Sequence, residues 1–409
     1  MTALAVTRRQ SRSGAVAFLA GSVAVHGGNY LFNLVAVRTL DPAQYADVAL
    51  AVSLLLLTGF VTVGLQMATA RSVAASPSGH GLAVARWLHQ RAFRFGLALG
   101  ALVIMAAPTL AGLFNTSGFL PFLAVGASLP WALTAGVGRG LQQGLTRFGR
   151  LALSFQAEML VRLLLGAGLM AGGYGVGGGL GALTASVIAA ALAVRVPPGP
   201  IGSVDTATRN RLVAALSPSI ALLVGEALVN HVDTVVAKHA FDPVTAGQFA
   251  AIAIIGRAVF FVTWPISMLV YPLAASRAAH GESVTRLLMM ALGAVVSIGA
   301  FAVAVAAAAP EAIVEHALGS AYVAQSSLLA PYVTATALFS AATTIVAFAV
   351  AVGHNRVAFA ALAYGTLTTT VLIGFHPSLT ALVWAQVGMN AIALVAAGAW
   401  ALCPGGRRS

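Results

Sequence analysis

Five charged side chains lie inside long apolar runs of the sequence, and these residues are the most able to carry chemistry. They are Glu158, Arg162, Glu226, Asp233 and Arg257. The rest of the chain is poor in charge, since only 8% of its 409 residues are charged and 59% are hydrophobic. A charge at the centre of a bilayer costs about 2.5–3.5 kcal/mol on insertion scales. We therefore expect these groups to pair with one another or to face an aqueous cavity.

The spacing of Glu158 and Arg162 places both on one helix face, with the acid first, which favours an ion pair. The pair is either structural and self-neutralising, or Arg162 lines a cavity and Glu158 tunes it. Arg257 has no acid within reach on its own helix, so Asp233 or Glu226 on the preceding helix is its candidate partner. A guanidinium suits the geometry of phosphate. We therefore predict contact between Arg257 and an anionic substrate group.

Two polar stripes repeat the spacing i, i+4, i+7 on predicted helices. They are Glu226, Asn230 and Asp233, and His26, Tyr30 and Asn33. Such stripes either join helices through hydrogen bonds or line a cavity. In the second interpretation the cavity candidates for substrate binding are Arg257, Arg162, Asn33, His26 and Asn230, and the ion-coupling candidates are Glu226, Asp233 and Glu158.

The elements that carry these residues are predicted to be transmembrane helices. The apolar runs repeatedly exceed the roughly 20 residues that a helix needs to cross hydrocarbon. Strands of a membrane barrel would instead alternate over about ten residues. We predict an all-α polytopic membrane protein with about twelve transmembrane helices. The spans lie near 15–37, 47–69, 94–113, 119–138, 151–172, 176–195, 212–237, 246–269, 287–309, 327–352, 357–375 and 379–402.

The basic residues predict the orientation. Most of the 22 Lys and Arg residues, Arg139 among them, fall in loops on the side of the N-terminus, and the opposite loops hold only Arg38 and Lys238. Loops rich in Lys and Arg are cytoplasmic. We expect a multi-pass protein of the cytoplasmic (inner) membrane with both termini in the cytoplasm. The net charge of +12 is thus a topology signal and indicates no nucleic-acid partner. The single cysteine, Cys403, excludes an intramolecular disulfide.

A Pro- and Gly-rich stretch at 197–211 divides the chain into halves with six predicted helices each. The halves share a motif, VAVRTLDPAQYADVALA from Val35 and VVAKHAFDPVTAGQFAAIA from Val235. An even number of helices per repeat makes the two repeats parallel. We predict an N-terminal six-helix lobe at 1–196, a cytoplasmic linker at 197–211 and a C-terminal six-helix lobe at 212–409. The two pseudo-symmetric lobes surround a central cavity.

These segments resemble a known family. The turn RTLDPAQYADVALA, the ending GLQMATARSVA and the block NHVDTVVAKHAFDPVTAGQFAAIAIIGRAVFF are similar to those of oligosaccharide flippases of the multidrug/oligosaccharidyl-lipid/polysaccharide (MOP) exporter superfamily. The resemblance covers about half of the chain. It implies a two-lobed flippase that moves an undecaprenyl-diphosphate-linked oligosaccharide by alternating access, for surface polysaccharide biosynthesis. The diphosphate would meet basic residues, a role that falls on Arg257 and then Arg162.

Two other functions stay open. A cation-coupled multidrug exporter would use Glu226 and Asp233, although the first helix lacks the acid common in that branch. A membrane-embedded glycan polymerase or glycosyltransferase would need longer extracytoplasmic loops than the sequence has. We expect no catalysis, no cofactor and no metal. The expected partners are the lipid-linked glycan, membrane lipids, H⁺ or Na⁺ as coupling ion, and other polysaccharide-assembly proteins.

Overall fold

A computed structural model of the chain describes residues 21, 24–75, 80–199, 206–280, 283–354 and 356–402. Every regular element within these residues is helical, which confirms the predicted all-α class. The helices are α1 (24–39), α2 (Pro42–Ala75), α3 (His80–Met105), α4 (Ala107–Leu113), α5 (Leu120–Gly144), α6 (Phe148–Leu160), α7 (Gly166–Leu169), α8 (Gly175–Ala193), α9 (Thr206–Ala240), α10 (Pro243–Ala279), α11 (Thr285–Ala308), α12 (Pro310–Ala317), α13 (Leu329–Ala351), α14 (Arg356–Gly374) and α15 (Leu379–Leu402). Two π-helical turns, Val161–Leu165 and Met170–Tyr174, flank α7, and a 3₁₀ segment, Ser320–Leu328, precedes α13.

Many of these helices can cross a membrane. Within the described residues, nine helical runs are long and apolar enough, or ten when α3 and α4, which meet at a 60° bend, are taken as one span. The run Phe148–Ala193 has 46 residues. At 1.5 Å per residue it would measure about 69 Å as one helix, more than twice the thickness of the hydrocarbon core. Gly173 (φ 88°) and Gly175 (φ 51°) break this run where the fifth and sixth predicted spans meet. The predicted number of twelve is compatible with this arrangement.

The chain forms two compact units. Unit 1 comprises residues 1–39, 62–105 and 123–209, and unit 2 comprises residues 40–61, 106–122 and 210–409. The second half of the chain therefore groups with two short segments of the first half. The lobe bounds predicted from the sequence remain a prediction.

In unit 1, a stripe of glycines on α5 allows close approach to α2. A Cβ added at Gly136 would lie 2.4 Å from the backbone oxygen of Thr62, and one at Gly140 would lie 2.3 Å from that of Gln66. Small residues four apart let two helix backbones pack closely in a membrane, where the hydrophobic effect drives no association. This packing fixes the α5 backbone, which carries Arg139.

In unit 2, α13 is the central helix and packs against α10, α11 and α15. Its buried residues occur on every side, including Tyr332, Thr336 and Phe339. A helix that is apolar all round is buried in the interior of its protein. This position lets α13 contribute side chains to two cavities described below.

The two Asp-Pro dipeptides of the shared motif each begin a helix. The Asp41 carboxylate accepts a hydrogen bond from the Gln44 amide at 2.9 Å, and the Asp242 carboxylate accepts from the Val244 and Thr245 amides at 3.1 and 3.0 Å. Both are N-caps followed by proline at the first helical position. Hydrogen bonds from Thr245 hold the pKa of Asp242 below its ordinary value.

Two basic residues that the sequence analysis assigned to loops lie inside helices and are buried. Arg139 belongs to α5, which continues to Gly144, and Lys238 belongs to α9. The loop assignment was wrong for both because each has a carboxylate partner, Glu158 and Asp47 respectively, that lets its charge be buried.

Candidate substrate and ion sites

The first candidate site is a cluster of Arg139, Glu158 and Arg162 in unit 1. The two carboxylate oxygens of Glu158 accept one hydrogen bond each, from Arg139 Nη2 at 2.6 Å and from Arg162 Nη2 at 2.7 Å. The predicted pairing of Glu158 with Arg162 is confirmed. The contact of Arg139 with this pair was not expected, because Arg139 lies on a different helix, α5.

Arg162 also has partners on two other helices, α1 and α8. Its Nη1 donates to the Asn29 side-chain oxygen at 3.0 Å, and its Nε donates to the Ser186 hydroxyl at 3.3 Å. Arg162 lies in the π-helical turn that follows α6. Such turns are rare and frequently occur at functional sites. The π-helical turn is therefore the segment of backbone that carries the Arg162 side chain.

The cluster has a net charge of +1, because it contains two guanidinium groups and one carboxylate. Two guanidinium groups share one carboxylate, and Arg139 and Arg162 are only 7% and 9% exposed. The Arg139 guanidinium also lies 3.9 Å from the centre of the Phe155 ring. A buried charge without a counter-ion is costly. The cluster is therefore suited to a neighbouring anion.

The second candidate site is the ion pair of Arg257 and Asp233 in unit 2. Arg257 Nη2 donates to Asp233 Oδ1 at 2.6 Å and lies 2.7 Å from the Thr234 hydroxyl. The Tyr332 hydroxyl donates to the other oxygen, Asp233 Oδ2, at 2.5 Å. The pairing that the sequence analysis considered for Arg257 is confirmed. One carboxylate balances one guanidinium, so this pair is neutral.

Glu226 borders a separate small cavity in unit 2, which has room for about one or two water molecules. Its other walls combine hydroxyl groups with two aromatic rings: Thr263, Ser267, Ser340, Thr343, Phe260 and Trp264. Within the described part of the chain, the Glu226 carboxylate has no ion pair or hydrogen bond. A carboxylate among hydroxyl oxygens is an arrangement that can hold a proton or a hard cation.

A second, smaller cavity in unit 2, with room for about one water molecule, lies beside Arg257. Asn230 from α9, Tyr332 from α13, and Gln386 and Asn390 from α15 also line it. The structure thus brings together three of the predicted site residues: Arg257 pairs with Asp233, and Asn230 lines the same cavity as Arg257. Glu226 contributes to a different cavity.

Two predicted residues on α1 lie outside these clusters. Asn33 is partly buried and donates to the backbone oxygen of Asn29 at 2.9 Å, one turn away on the same helix. His26 is partly buried as well. Asn29, which the sequence analysis did not select as a site residue, is the α1 side chain that contacts Arg162.

Several residues of the clusters were missed because their partners are distant in the chain. Arg139 was predicted to lie in a loop because it directly follows the end of a predicted span. Tyr332 stands singly in the apolar helix α13, and a lone polar residue carries little sequence signal. Gln386 and Asn390 lie four residues apart on α15. This spacing is the one signal that could have indicated that the two side chains share a helix face.

No family model and no curated protein matches the sequence, but solved structures do. The lipid II flippase MurJ, in an inward closed conformation, matches with a TM-score of 0.74 at 11% identity, over 93% of this chain and 86% of that one. A multidrug resistance MATE family transporter of the MOP superfamily, in an inward-facing conformation, matches with a TM-score of 0.70 at 15% identity, over 90% of this chain and 92% of that one.

A MOP superfamily transporter from Pyrococcus furiosus, with a binding pocket of reverse polarity, matches with a TM-score of 0.63 at 18% identity, over 93% of this chain and 92% of that one. At these identities the likeness is one of fold. The chain has the fold of the MOP superfamily transporters, which confirms the resemblance inferred from its motifs. It is a multi-pass membrane protein.

Proposed function

We propose that this chain, with the transporter fold just described, is a flippase. It translocates an undecaprenyl-diphosphate-linked oligosaccharide across the cytoplasmic membrane by alternating access, for surface polysaccharide biosynthesis. Both termini lie in the cytoplasm. The observation that carries this proposal is the excess positive charge of the Arg139–Glu158–Arg162 cluster.

The charge balance of the two arginine sites supports an anionic substrate. The Arg139–Glu158–Arg162 cluster has a net charge of +1, whereas Asp233 neutralises Arg257. A diphosphate near the cluster would gain charge-assisted hydrogen bonds and compensate the buried guanidinium. A cationic substrate would be repelled there. In this proposal, Arg162 with Arg139 is the main contact for the diphosphate, and Arg257 is a secondary one.

Glu226 is the proposed coupling site. Its carboxylate faces hydroxyl groups in a cavity and has no partner within the described residues. Proton or Na⁺ binding there would neutralise a buried charge and favour one conformation of the transporter over another. Glu226→Gln mimics the protonated form, so transport by this variant is expected to lose its response to an imposed ion gradient.

A cation-coupled multidrug exporter is the second candidate, and the same cavity favours it. Phe260 and Trp264 line the same cavity as Glu226. Aromatic faces together with a carboxylate are suited to an organic cation. This function would place the substrate in unit 2 and give no role to the positive cluster of unit 1.

Proteoliposomes distinguish the two functions. A fluorescent undecaprenyl-diphosphate-linked sugar in one leaflet is followed with a membrane-impermeant quencher, and ethidium is followed in parallel vesicles. We expect transfer of the lipid and not of ethidium. Arg162→Gln removes hydrogen bonds to a charged group, which are worth about 1.5–3 kcal/mol. Lipid transfer by this variant should therefore be about tenfold slower or more.

The matched control is Arg147→Gln, which removes an exposed arginine at the start of α6. This variant should transfer the lipid at the wild-type rate. Ethidium transport without lipid transfer would establish the exporter in place of the flippase. Lipid transfer that Arg162→Gln leaves unchanged would remove the cluster from the mechanism.

A further inference from the structure

Asn29 of α1 is a neutral side chain in direct contact with the Arg139–Glu158–Arg162 cluster. Its side-chain oxygen accepts a hydrogen bond from Arg162 Nη1 at 3.0 Å. The other two nitrogens of this guanidinium donate to the Glu158 carboxylate at 2.7 Å and to the Ser186 hydroxyl at 3.3 Å. Asn29 thus occupies a position where a carboxylate of the same size would neutralise the second guanidinium of the cluster.

Glu158 is the only acidic residue in the described part of unit 1. The sequence of this unit holds one other acid, Asp205, which lies outside the described residues. The remaining partner of Arg139 is Ser154, whose hydroxyl accepts from Nε at 3.0 Å and donates to the Ala190 backbone oxygen at 2.9 Å. Apart from Glu158, every hydrogen-bond partner that the described residues offer the two arginines is therefore neutral.

The two guanidinium groups also keep hydrogen-bond donors for a further acceptor. A guanidinium carries more N–H groups than Arg162 uses in the contacts just given. Arg139 uses Nε and Nη2 on Ser154 and Glu158, while its Nη1 has no acceptor within the described residues. Water can accept from these donors, but it leaves the net charge of the cluster unchanged. An anion with several oxygens satisfies the donors and the charge together.

Close packing of α1 holds Asn29 beside Arg162. Phe32, one turn after Asn29, is 1% exposed and packs against Gly166, one turn after Arg162. A Cβ added at Gly166 would lie 2.7 Å from the Phe32 ring, so the two segments have no space between them at this point. The position of Asn29 relative to the guanidinium is thus set by the packing of helices.

We propose that Asn29 sets the charge preference of this cluster, because it orients Arg162 without neutralising it and so leaves the cluster able to bind an anionic group. A second carboxylate would bring the net charge to zero and remove the attraction for an anion. The Glu158 side chain is 25% exposed and Asn29 is partly exposed, so a ligand reaches the cluster at this edge. The ligand is a group with phosphate-like oxygens. That this group is the diphosphate of a carrier lipid rests on the proposed flippase function.

Binding of two short-chain probes to the purified full chain, at low ionic strength, tests this role without any transport step. The probes are farnesyl diphosphate and farnesol, which share the apolar chain and differ in the charged group. The wild type should bind the diphosphate at least about tenfold more tightly than farnesol. Asn29→Asp keeps the size of the side chain and its acceptor oxygen, and the neighbouring guanidinium groups keep the introduced carboxylate ionised. This variant should lose about tenfold in affinity for the diphosphate, with the affinity for farnesol unchanged.

The unfolding temperature of the variants separates an effect of charge from an effect of structure. Asn29→Asp should raise the unfolding temperature, because it gives a buried positive charge its counter-ion. Asn29→Leu removes the acceptor and leaves the net charge at +1, so it should lower the unfolding temperature and keep the preference for the diphosphate. A residue with a purely structural role would instead show affinity and stability falling together in both variants, and that result would overturn the proposal.

The matched control is Gln66→Glu, another change of a partly buried amide to an acid in unit 1. The Gln66 amide donates to the side-chain oxygen of Gln143 at 2.8 Å and contacts neither arginine. This variant should keep most of the preference for the diphosphate. An equal loss in Gln66→Glu and Asn29→Asp would overturn the proposal, as would a wild type without the preference or a preference that survives Asn29→Asp.

The failure of the flippase proposal gives a different pattern. A diphosphate preference that Asn29→Asp removes, without lipid transfer in proteoliposomes, contradicts the flippase alone. Lipid transfer together with a diphosphate preference that Asn29→Asp leaves intact contradicts the role of Asn29 alone.

Discussion

The only lysine of the chain, Lys238, is buried near the end of α9, where its ammonium nitrogen lies 2.8 Å from Asp47 Oδ1 of α2. The same carboxylate accepts hydrogen bonds from the Ser117 amide at 3.0 Å and the Ser117 hydroxyl at 2.5 Å. Lys238 also donates to the Asn115 backbone oxygen at 3.1 Å. These contacts join three segments of unit 2 that are far apart in the sequence.

Lys238→Met should strongly destabilise the protein. The substitution leaves the fully buried Asp47 carboxylate without its cation, and removal of one partner from a buried pair costs about 3–5 kcal/mol. Thermal unfolding of the purified protein in detergent measures the loss. The double variant Asp47→Leu, Lys238→Met removes both charges and should recover much of the stability. A single variant as stable as wild type would contradict the importance of this ion pair.

Burial also predicts the chemical reactivity of Lys238. A water-soluble amine reagent should modify the Lys238 amine far more slowly in the native protein than in the unfolded protein, because this amine is 1% exposed and ion-paired. Mass spectrometry of the peptide that contains Lys238 measures the extent of labelling. Unfolding in denaturant supplies the control, since Lys238 should then react fully. Rapid labelling of Lys238 in the native protein would contradict the contact.

Glu158→Gln should destabilise unit 1. It leaves the Arg139 and Arg162 guanidinium groups close together and buried without a counter-ion, for which the expected cost is again about 3–5 kcal/mol. The control is Glu315→Gln, an exposed acid on α12 that should change the unfolding temperature little. Equal unfolding temperatures for Glu158→Gln and the wild type would show that water or ions already compensate the two arginines.

Close packing of α5 on α2 makes Gly140 sensitive to the smallest substitution. The Cβ of Gly140→Ala would lie 2.3 Å from the Gln66 backbone oxygen, so the two helices must move apart. We expect a lower unfolding temperature. Gly293→Ala on α11 is the matched control, because its Cβ meets nothing within 4 Å. There, the better helix propensity of alanine should stabilise the protein by up to about 1 kcal/mol.

The N-cap of α10 predicts a dependence of stability on pH. The folded-state pKa of Asp242 is lowered, chiefly by hydrogen bonds from Thr245, so its contribution is present above the ordinary aspartate pKa. That contribution is lost as the pH falls through the lowered folded-state value. Asp242→Ala should cost about 1 kcal/mol at neutral pH, as for other caps. The difference in stability between the variant and the wild type should vanish in acid. A difference in stability that persists in acid would show that the charge of Asp242 is not its cause.

The local part of the candidate sites could be predicted from the sequence. Glu158 and Arg162 are one helical turn apart, and their contact follows from helix geometry alone. The pairing of Arg257 with Asp233 could be named as one of two options, because a buried guanidinium needs a nearby acid and the preceding helix offers two. The choice between Asp233 and Glu226 required the rotation of α9 against α10, which no local pattern encodes.

The charge of each site depended on residues that the sequence placed elsewhere. Arg139 was assigned to a loop, yet its contact with Glu158 turns a neutral pair into a cluster with net charge +1. Tyr332 joins Asp233 from α13, which lies 99 residues further along the chain. Neither contact has a periodicity or a motif that could reveal it.

The amino-acid sequence by itself determined that this chain is a bundle of membrane helices, because lipid leaves a long apolar backbone no alternative to internal hydrogen bonding. It also determined which few polar residues had to be shielded from lipid. Only the tertiary structure decided how those residues are grouped, which cluster keeps an excess charge, and where cavities remain. The physical reason is that ion pairs and cavities depend on packing between helices, and packing joins residues whose separation along the chain is unrelated to their distance in space.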